Sequence, residues 1–311
     1  MNELATVPQT SIEKRLESLI DAFLCSQDVR ENTKEVYRKQ LKQFMGWMQE
    51  RGIAEPTRED ILAYRESLKA RGLNASSIKG YMVAVRVFFT WAESIRCYPN
   101  VAKNIKGGKQ ARGFRKDPLT IEQARELLKS IDRSTLEGKR DFAFLSLLIG
   151  TGLRTIEVTR ADVADISQQG GEAVLYVQGK GRDEKDELVV LTAQTLKPLR
   201  EYLQARKAEE GEPLFTSLSH RNSNERLNTK TIRRVVKERL RGIGLDSKRL
   251  SAHSLRHTAL TLALKGGATL QEAQRLARHS SINTTLIYTH DIDRIKQAPE
   301  RKIAALLLAT V

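Results

Sequence analysis

Cysteine is scarce in this chain. Its 311 residues hold two, Cys25 and Cys97, and no CxxC pair, which argues against a zinc ribbon or a disulfide framework. Both sit in apolar, helical-looking contexts and are expected to be core or half-buried, reduced thiols of a cytosolic protein. Long hydrophobic runs are missing too: the longest, around 142–149 and 303–311, fall far short of a bilayer span. The start, MNELATVPQT, lacks the basic end and apolar run of a signal peptide, so no membrane is expected and the cytoplasm is the expected place. There is no GxxxxGK[ST] loop, no HExxH and no compact acidic cluster, so neither a nucleotide-phosphate cradle nor a catalytic metal site is indicated. Acid is in deficit as well, 38 Asp and Glu against 53 Lys and Arg, a net charge of +15. Such a surplus favours a polyanionic partner, nucleic acid first.

What is present reads as two domains, mainly helical with a small sheet. In residues 1–102 apolar side chains recur at helical spacing: Ile12, Leu16, Leu19, Ile20 and Phe23, then Tyr37, Leu41, Phe44, Met45 and Met48. A third helix follows the cap Thr57 with Asp60 three residues on, and a fourth runs from about Ser76 to Ala92. Arg51-Gly52 and Arg71-Gly72 end the second and third. Residues 103–118 break the pattern. The stretch KNIKGGKQARGFRKD has six basic residues, Lys103, Lys106, Lys109, Arg112, Arg115 and Lys116, and three glycines. It reads as a flexible basic linker that could track a DNA backbone. A second domain, 119–290, opens on the cap Thr120 with Gln123 and holds an apolar helix over 141–149. The β-branched runs 173–178 and 187–191 form a hairpin, and helices are predicted near 193–209, 229–240, 254–265, 270–278 and 282–288.

Five clusters carry chemistry: Thr151-Gly152-Leu153-Arg154 with Glu157; Gly179-Lys180-Gly181; His253-Ser254-Leu255-Arg256-His257; His279; and Tyr288-Thr289-His290. Each alone has a bland reading as a surface Arg, an exposed turn, a packing His or a half-buried Tyr. Together they suit transesterification at a phosphodiester, whose phosphorane gathers negative charge on its non-bridging oxygens. Arg154 and Arg256 offer planar, permanently charged forks for those oxygens, and His279 a third donor. A tyrosine can be the nucleophile, though its ordinary pKa of about 10 calls for a cationic setting and a proton acceptor. His253, on the helix face of Arg256, suits general base; Lys180, on a hairpin turn reaching a minor groove, suits general acid. A zinc reading of His253 and His257 fails on Ser254, where a zincin has Glu, and on the lack of a third ligand; no metal or cofactor is expected.

The segments TGLRTIEV, VQGKGR, HSLRHT and ARHSSINTTLIYTH, in this order, resemble the tyrosine recombinase (phage integrase) family over roughly 119–290. Thr33, Tyr37, Leu41, Phe44 and Trp47, followed by SSIKGYMVAVRVFFTWA, resemble its helical core-binding domain more loosely. The resemblance implies that Arg154, Lys180, His253, Arg256 and His279 surround the scissile phosphate, that Tyr288 attacks it, and that Glu157 supports Arg154 from behind. It implies a C-shaped clamp on double-stranded DNA, a homotetramer in synapsis, exchange through a Holliday junction, work at the nucleoid, and a place for accessory DNA-bending proteins. The tail 291–311, with Ile303, Leu306 and Leu307, is expected to dock on a neighbouring protomer. One departure stands out. The family usually has Leu-Gly-His where this chain has Ala277-Arg278-His279, and Arg278 is expected either to reach DNA phosphate or to lie in solvent. The rival readings are a type IB topoisomerase, with the same chemistry and no specific site, and a catalytically silent DNA-binding protein.

Overall fold

The computed structural model describes residues 9–108, 116–179, 181–286, 300, 303, 304 and 307, with side chains from Glu17 onward. Lys109, Arg112, Arg115, Lys180, Tyr288 and most of the 291–311 tail lie outside these residues. The chain divides into two units, Met1–Arg112 and Gly113–Val311. Among the described residues no helix is long and apolar enough to cross a membrane.

The first unit is four helices: α1 (Gln9–Ser26), α2 (Glu31–Gln49), α3 (Arg58–Ala70) and α4 (Ala75–Ser94). The caps act as the sequence predicts. Thr57 accepts from the Asp60 N–H while Asp60 accepts from the Thr57 N–H, and Gly52 and Gly72 end their helices at φ +64° and +74°. The stripes converge on Phe23, Leu41, Phe44, Ile61, Tyr64, Leu68, Met82 and Phe88, all buried. Aromatic rings meet edge to face there, Phe44 on Tyr64 at 4.9 Å and Phe23 on Phe88 at 5.6 Å, a packing worth about 0.5–1.5 kcal/mol per pair beyond burial.

The start of the basic stretch is bound to this unit. Ala102 and Ile105 are buried in its core, Arg58 donates to the Lys103 carbonyl (2.7 Å) and Arg65 to that of Lys106 (3.2 Å). Gly107 lies so close to α4 that a Cβ would fall 2.5 Å from the Lys79 Cα. The tether reading therefore fails for 103–107, whose Lys103 and Lys106 side chains are nevertheless exposed. The cysteine expectation fails as well: Cys25, in the last turn of α1, and Cys97, beyond the end of α4, are both exposed.

The second unit begins with α5 (Ile121–Lys129), α6 (Leu136–Thr151) and α7 (Thr155–Arg160), followed by β1 (Ile166–Gln169), β2 (Glu172–Val177) and β3 (Glu187–Val190). Then come α8 (Ala193–Arg206), α9 (Thr229–Gly242), α10 (Ala252–Lys265), α11 (Leu270–Ala277) and α12 (Ile282–Leu286). The sheet is antiparallel in the order β1-β2-β3, with Ile166 opposite Leu175 and Leu175 opposite Val189. The core gathers around α6, whose Phe144, Leu145, Leu147 and Leu148 are fully buried with Leu175, Leu199, Phe215 and Leu255. Lys116 and Asp117 belong to this unit: Lys116 donates to the Lys248 carbonyl (2.6 Å), and Asp117 pairs with Arg249 (2.6 Å).

Candidate active site

Arg154 owes its place to a tight helix-to-helix joint. α6 stops at Gly152, whose left-handed φ of +62° suits glycine, Leu153 is buried as a pin, and Arg154 is the N-cap of α7. Glu157, one turn into α7 and fully buried, grips Arg154 twice. Its Oε2 accepts from the Arg154 backbone N–H (2.8 Å) and its Oε1 from the Arg154 guanidinium (2.7 Å). The Arg154 side chain keeps 27% of its surface exposed, enough to meet a ligand.

Arg256 is on the first turns of α10 and is 2% exposed. One Nη donates to the Gly152 carbonyl (2.5 Å) and the other to that of Ala277. Those carbonyls stand two residues before Arg154 and two before His279, so a single guanidinium joins both loops. No sequence pattern signals such backbone acceptors.

His253, one turn ahead of Arg256, is exposed on one side and packs edge-on against His257, with centroids 4.6 Å apart. Desolvation, then Arg256, Arg154 and Lys116, push its pKa below the ordinary value. His279 follows α11, and its Nδ1 lies 2.9 Å from the Oγ1 of buried Thr285 on α12. Desolvation, with Arg256 and Arg154 as the leading charges, lowers its pKa to about 4. His257, 7% exposed, is lowered to about 4 by desolvation and its cationic neighbours. All three imidazoles are thus neutral at pH 7 and able to accept a proton or donate one N–H.

Arg278 departs from its expectation as a solvent-exposed side chain. It stands in the left-handed region (φ +50°) at the end of α11, its side chain 4% exposed, and donates to Glu157 Oε2 at 2.8 Å. It is a buried ion-pair partner that also lines the cavity described below. Burial alone would raise the Glu157 pKa; Arg278, together with the Arg154 N–H and guanidinium, more than offsets this and holds it below the usual range.

A cavity of about 760 Å³ opens beside Arg154, Arg278 and His279, lined also by Gly179, Gln274 and Thr284 among others. Gly179 brings the β2–β3 turn to its rim, where Arg160 donates to the Gly179 carbonyl at 3.4 Å. Lys185, across that turn, is held by Asp162 and Asp165, each at 2.6 Å, a tether that sequence reading missed. Among the described residues no three His, Cys, Asp or Glu side chains are grouped as a metal ion would need. The structure thus brings Arg154, Glu157, Arg256, His253 and His279 into one cationic field; Lys180 and Tyr288 lie outside the described residues.

Residues 118–294 match the phage integrase family, and residues 16–94 match the phage integrase N-terminal SAM-like domain. A tyrosine recombinase of Synechococcus elongatus is 30% identical over 83% of this chain and 84% of its own length. Tyrosine recombinase XerA of Pyrococcus furiosus is 31% identical over 87% of each. Among solved structures, the XerH recombinase bound to a palindromic difH substrate aligns with a TM-score of 0.71 at 23% identity, covering 92% of this chain and 83% of that one. The Tn1549 transposon integrase aligns with a TM-score of 0.73 at 17% identity, covering 93% and 99%. At these identities the two structures speak to the fold alone. The family match spans more than half of the chain, and the relatives are similar along nearly their whole length: the chain belongs to the phage integrase family of tyrosine recombinases.

Proposed function

We propose that this protein cuts and rejoins double-stranded DNA through a transient ester between Tyr288 and a 3′ phosphate. As a member of its family it is an enzyme, a site-specific DNA recombinase. The observation that carries the chemical reading is a cationic field beside the cavity: Arg154 and His279 line it, and Arg256, one turn after His253 on α10, bonds the carbonyls two residues before each of them. Such a field is built for a phosphate and for moving one proton beside it.

Arg154, Arg256 and His279 hold the non-bridging oxygens. The Tyr288 phenol oxygen attacks phosphorus as the bond from phosphorus to the 5′ oxygen breaks. His253 takes the phenolic proton, and Lys180 gives one to the leaving 5′ oxygen. The phosphotyrosyl ester conserves the energy of the broken bond, so attack by another strand's 5′ hydroxyl reseals DNA with no call for ATP or a metal. Four protomers would exchange strands in pairs through a Holliday junction. Lys103, Lys106, Lys109, Arg112, Arg115 and Lys116 would lie along the backbone in a salt-sensitive contact. XerH was solved with its difH substrate in a post-cleavage complex, and the Tn1549 integrase with transposon right-end DNA, which supports DNA as the partner. The place of work is then the cytoplasm, at the nucleoid.

The test uses nicked suicide duplexes with a randomised binding half, resolved on a denaturing gel. Wild-type protein is expected to form a covalent adduct, and Tyr288→Phe to bind DNA yet form none. An adduct that survives Tyr288→Phe would remove the nucleophile assignment. Relaxation of a supercoiled plasmid that lacks the selected site would favour the topoisomerase reading instead.

A further inference from the structure

Arg278 occupies its position at a threefold cost. A side chain at φ +50° is disfavoured relative to glycine, and the Arg278 Nε is buried with no protein acceptor among the described residues. The guanidinium also gives up solvent, since only 4% of the side chain is exposed. What offsets these costs is Glu157. Its carboxylate, itself fully buried, is shared: Oε1 takes the Arg154 guanidinium at 2.7 Å and Oε2 takes Arg278 at 2.8 Å.

The charge count explains why the sharing matters. Arg154 and Glu157 alone form a neutral pair, a dipole whose attraction for a phosphate dies off quickly with distance. A second cation on the other carboxylate oxygen makes the trio +1, so a full positive charge faces the cavity that both arginines line. The same contact ties the residue before His279 to the first turn of the helix that Arg154 caps. Resting on the proposed function, we infer that Arg278 is a positioning residue for phosphate capture: it balances the Glu157 carboxylate so that Arg154 stays oriented yet keeps its charge available to the DNA.

The experiment is single-turnover adduct formation on the selected suicide duplex, compared among Arg278→Gly, Arg278→Lys, Glu157→Gln and the double variant. Arg278→Gly is expected to slow cleavage about tenfold, as an interaction between touching charges allows. Arg278→Lys should stay within about threefold of wild type. In the Glu157→Gln background, where no carboxylate needs balancing, the Gly substitution should cost less than about threefold. A merely structural role would give equal losses in both backgrounds, and that result overturns the inference. So does an Arg278→Gly variant that reacts like wild type while wild type forms its adduct. If wild type forms no adduct on any duplex, the functional reading itself falls and takes the inference with it. Thermal melts of each variant guard against misfolding, and Arg278→Met, a neutral chain of similar length, replaces the Gly variant should that one fail to fold.

Discussion

The two units bury different things. In Met1–Arg112 the core is apolar and aromatic, with Phe23, Phe44, Tyr64, Phe88 and Phe89 stacked edge to face and no buried charged side chain among the described residues. In Gly113–Val311 the core is mainly aliphatic, with Phe144, Tyr202 and Phe215, and is threaded with polar groups: Arg140, Asp141, Glu157, Arg256, His257 and Thr258 are all less than a tenth exposed. Burying charge is costly unless it is paired; here Arg140 and Arg239 share Asp141 as Arg154 and Arg278 share Glu157, and Arg256 donates to two backbone carbonyls. The contrast separates a core held by apolar contact from one in which paired charges hold polar side chains in place. Apolar packing tolerates a range of arrangements, whereas hydrogen-bonded charge fixes direction.

That contrast can be broken experimentally. Arg256→Ala should have the largest effect, because it removes a buried cation and leaves the Gly152 and Ala277 carbonyls without it. A loss of about 3–5 kcal/mol in the second unit is expected by urea denaturation, with cleavage falling at least about 10²-fold. Phe44→Ala should cost about 3–5 kcal/mol in the first unit, and calorimetry should show that unit's transition shifting while the other stays in place. A single merged transition would contradict the division. Arg154→Ala, at a side chain 27% exposed, should slow cleavage about 10²-fold with little change in the melt.

Acid sharpens the comparison further. The folded His257 pKa of about 4 lies below the unfolded value of 6.5, so between them the unfolded chain binds more protons. Its contribution is complete above about pH 6.5 and is lost as pH falls toward 4, up to about 3 kcal/mol. His257→Gln should flatten the stability profile of the second unit across that window in pH-stepped urea titrations. The smallest effect belongs to thiol alkylation. Cys25 and Cys97 are exposed and should react in the native protein with no loss of stability or cleavage.

Local signals carried much of the fold. Thr57 and Thr120 cap helices through the boxes that their sequences spell, and the hairpin pairs as its β-branched runs imply. β1 escaped because Ile-Ser-Gln-Gln has no apolar alternation, although Gly170-Gly171, both at positive φ, was a hairpin signal available to be read. α7 escaped because six residues are too few to show a period. The cysteines misled because apolar neighbours say little about facing in a helix's last turn, as at Cys25, or beyond its end, as at Cys97. Charged motifs named the candidate residues but not their burial. Arg256 reads as an exposed fork, Arg278 as a surface residue, and only tertiary structure shows which carbonyl or carboxylate each one meets.

The bridge made by Arg256 has a further consequence for how the site opens. Its two acceptors, at the ends of α6 and α11, lie far apart in the chain yet share one guanidinium, so a movement of α10 loosens both at once. The amides of Arg154 and His279, themselves bonded to Glu157 and Gln274, should therefore exchange with deuterium at one common opening free energy, as a single cooperative patch.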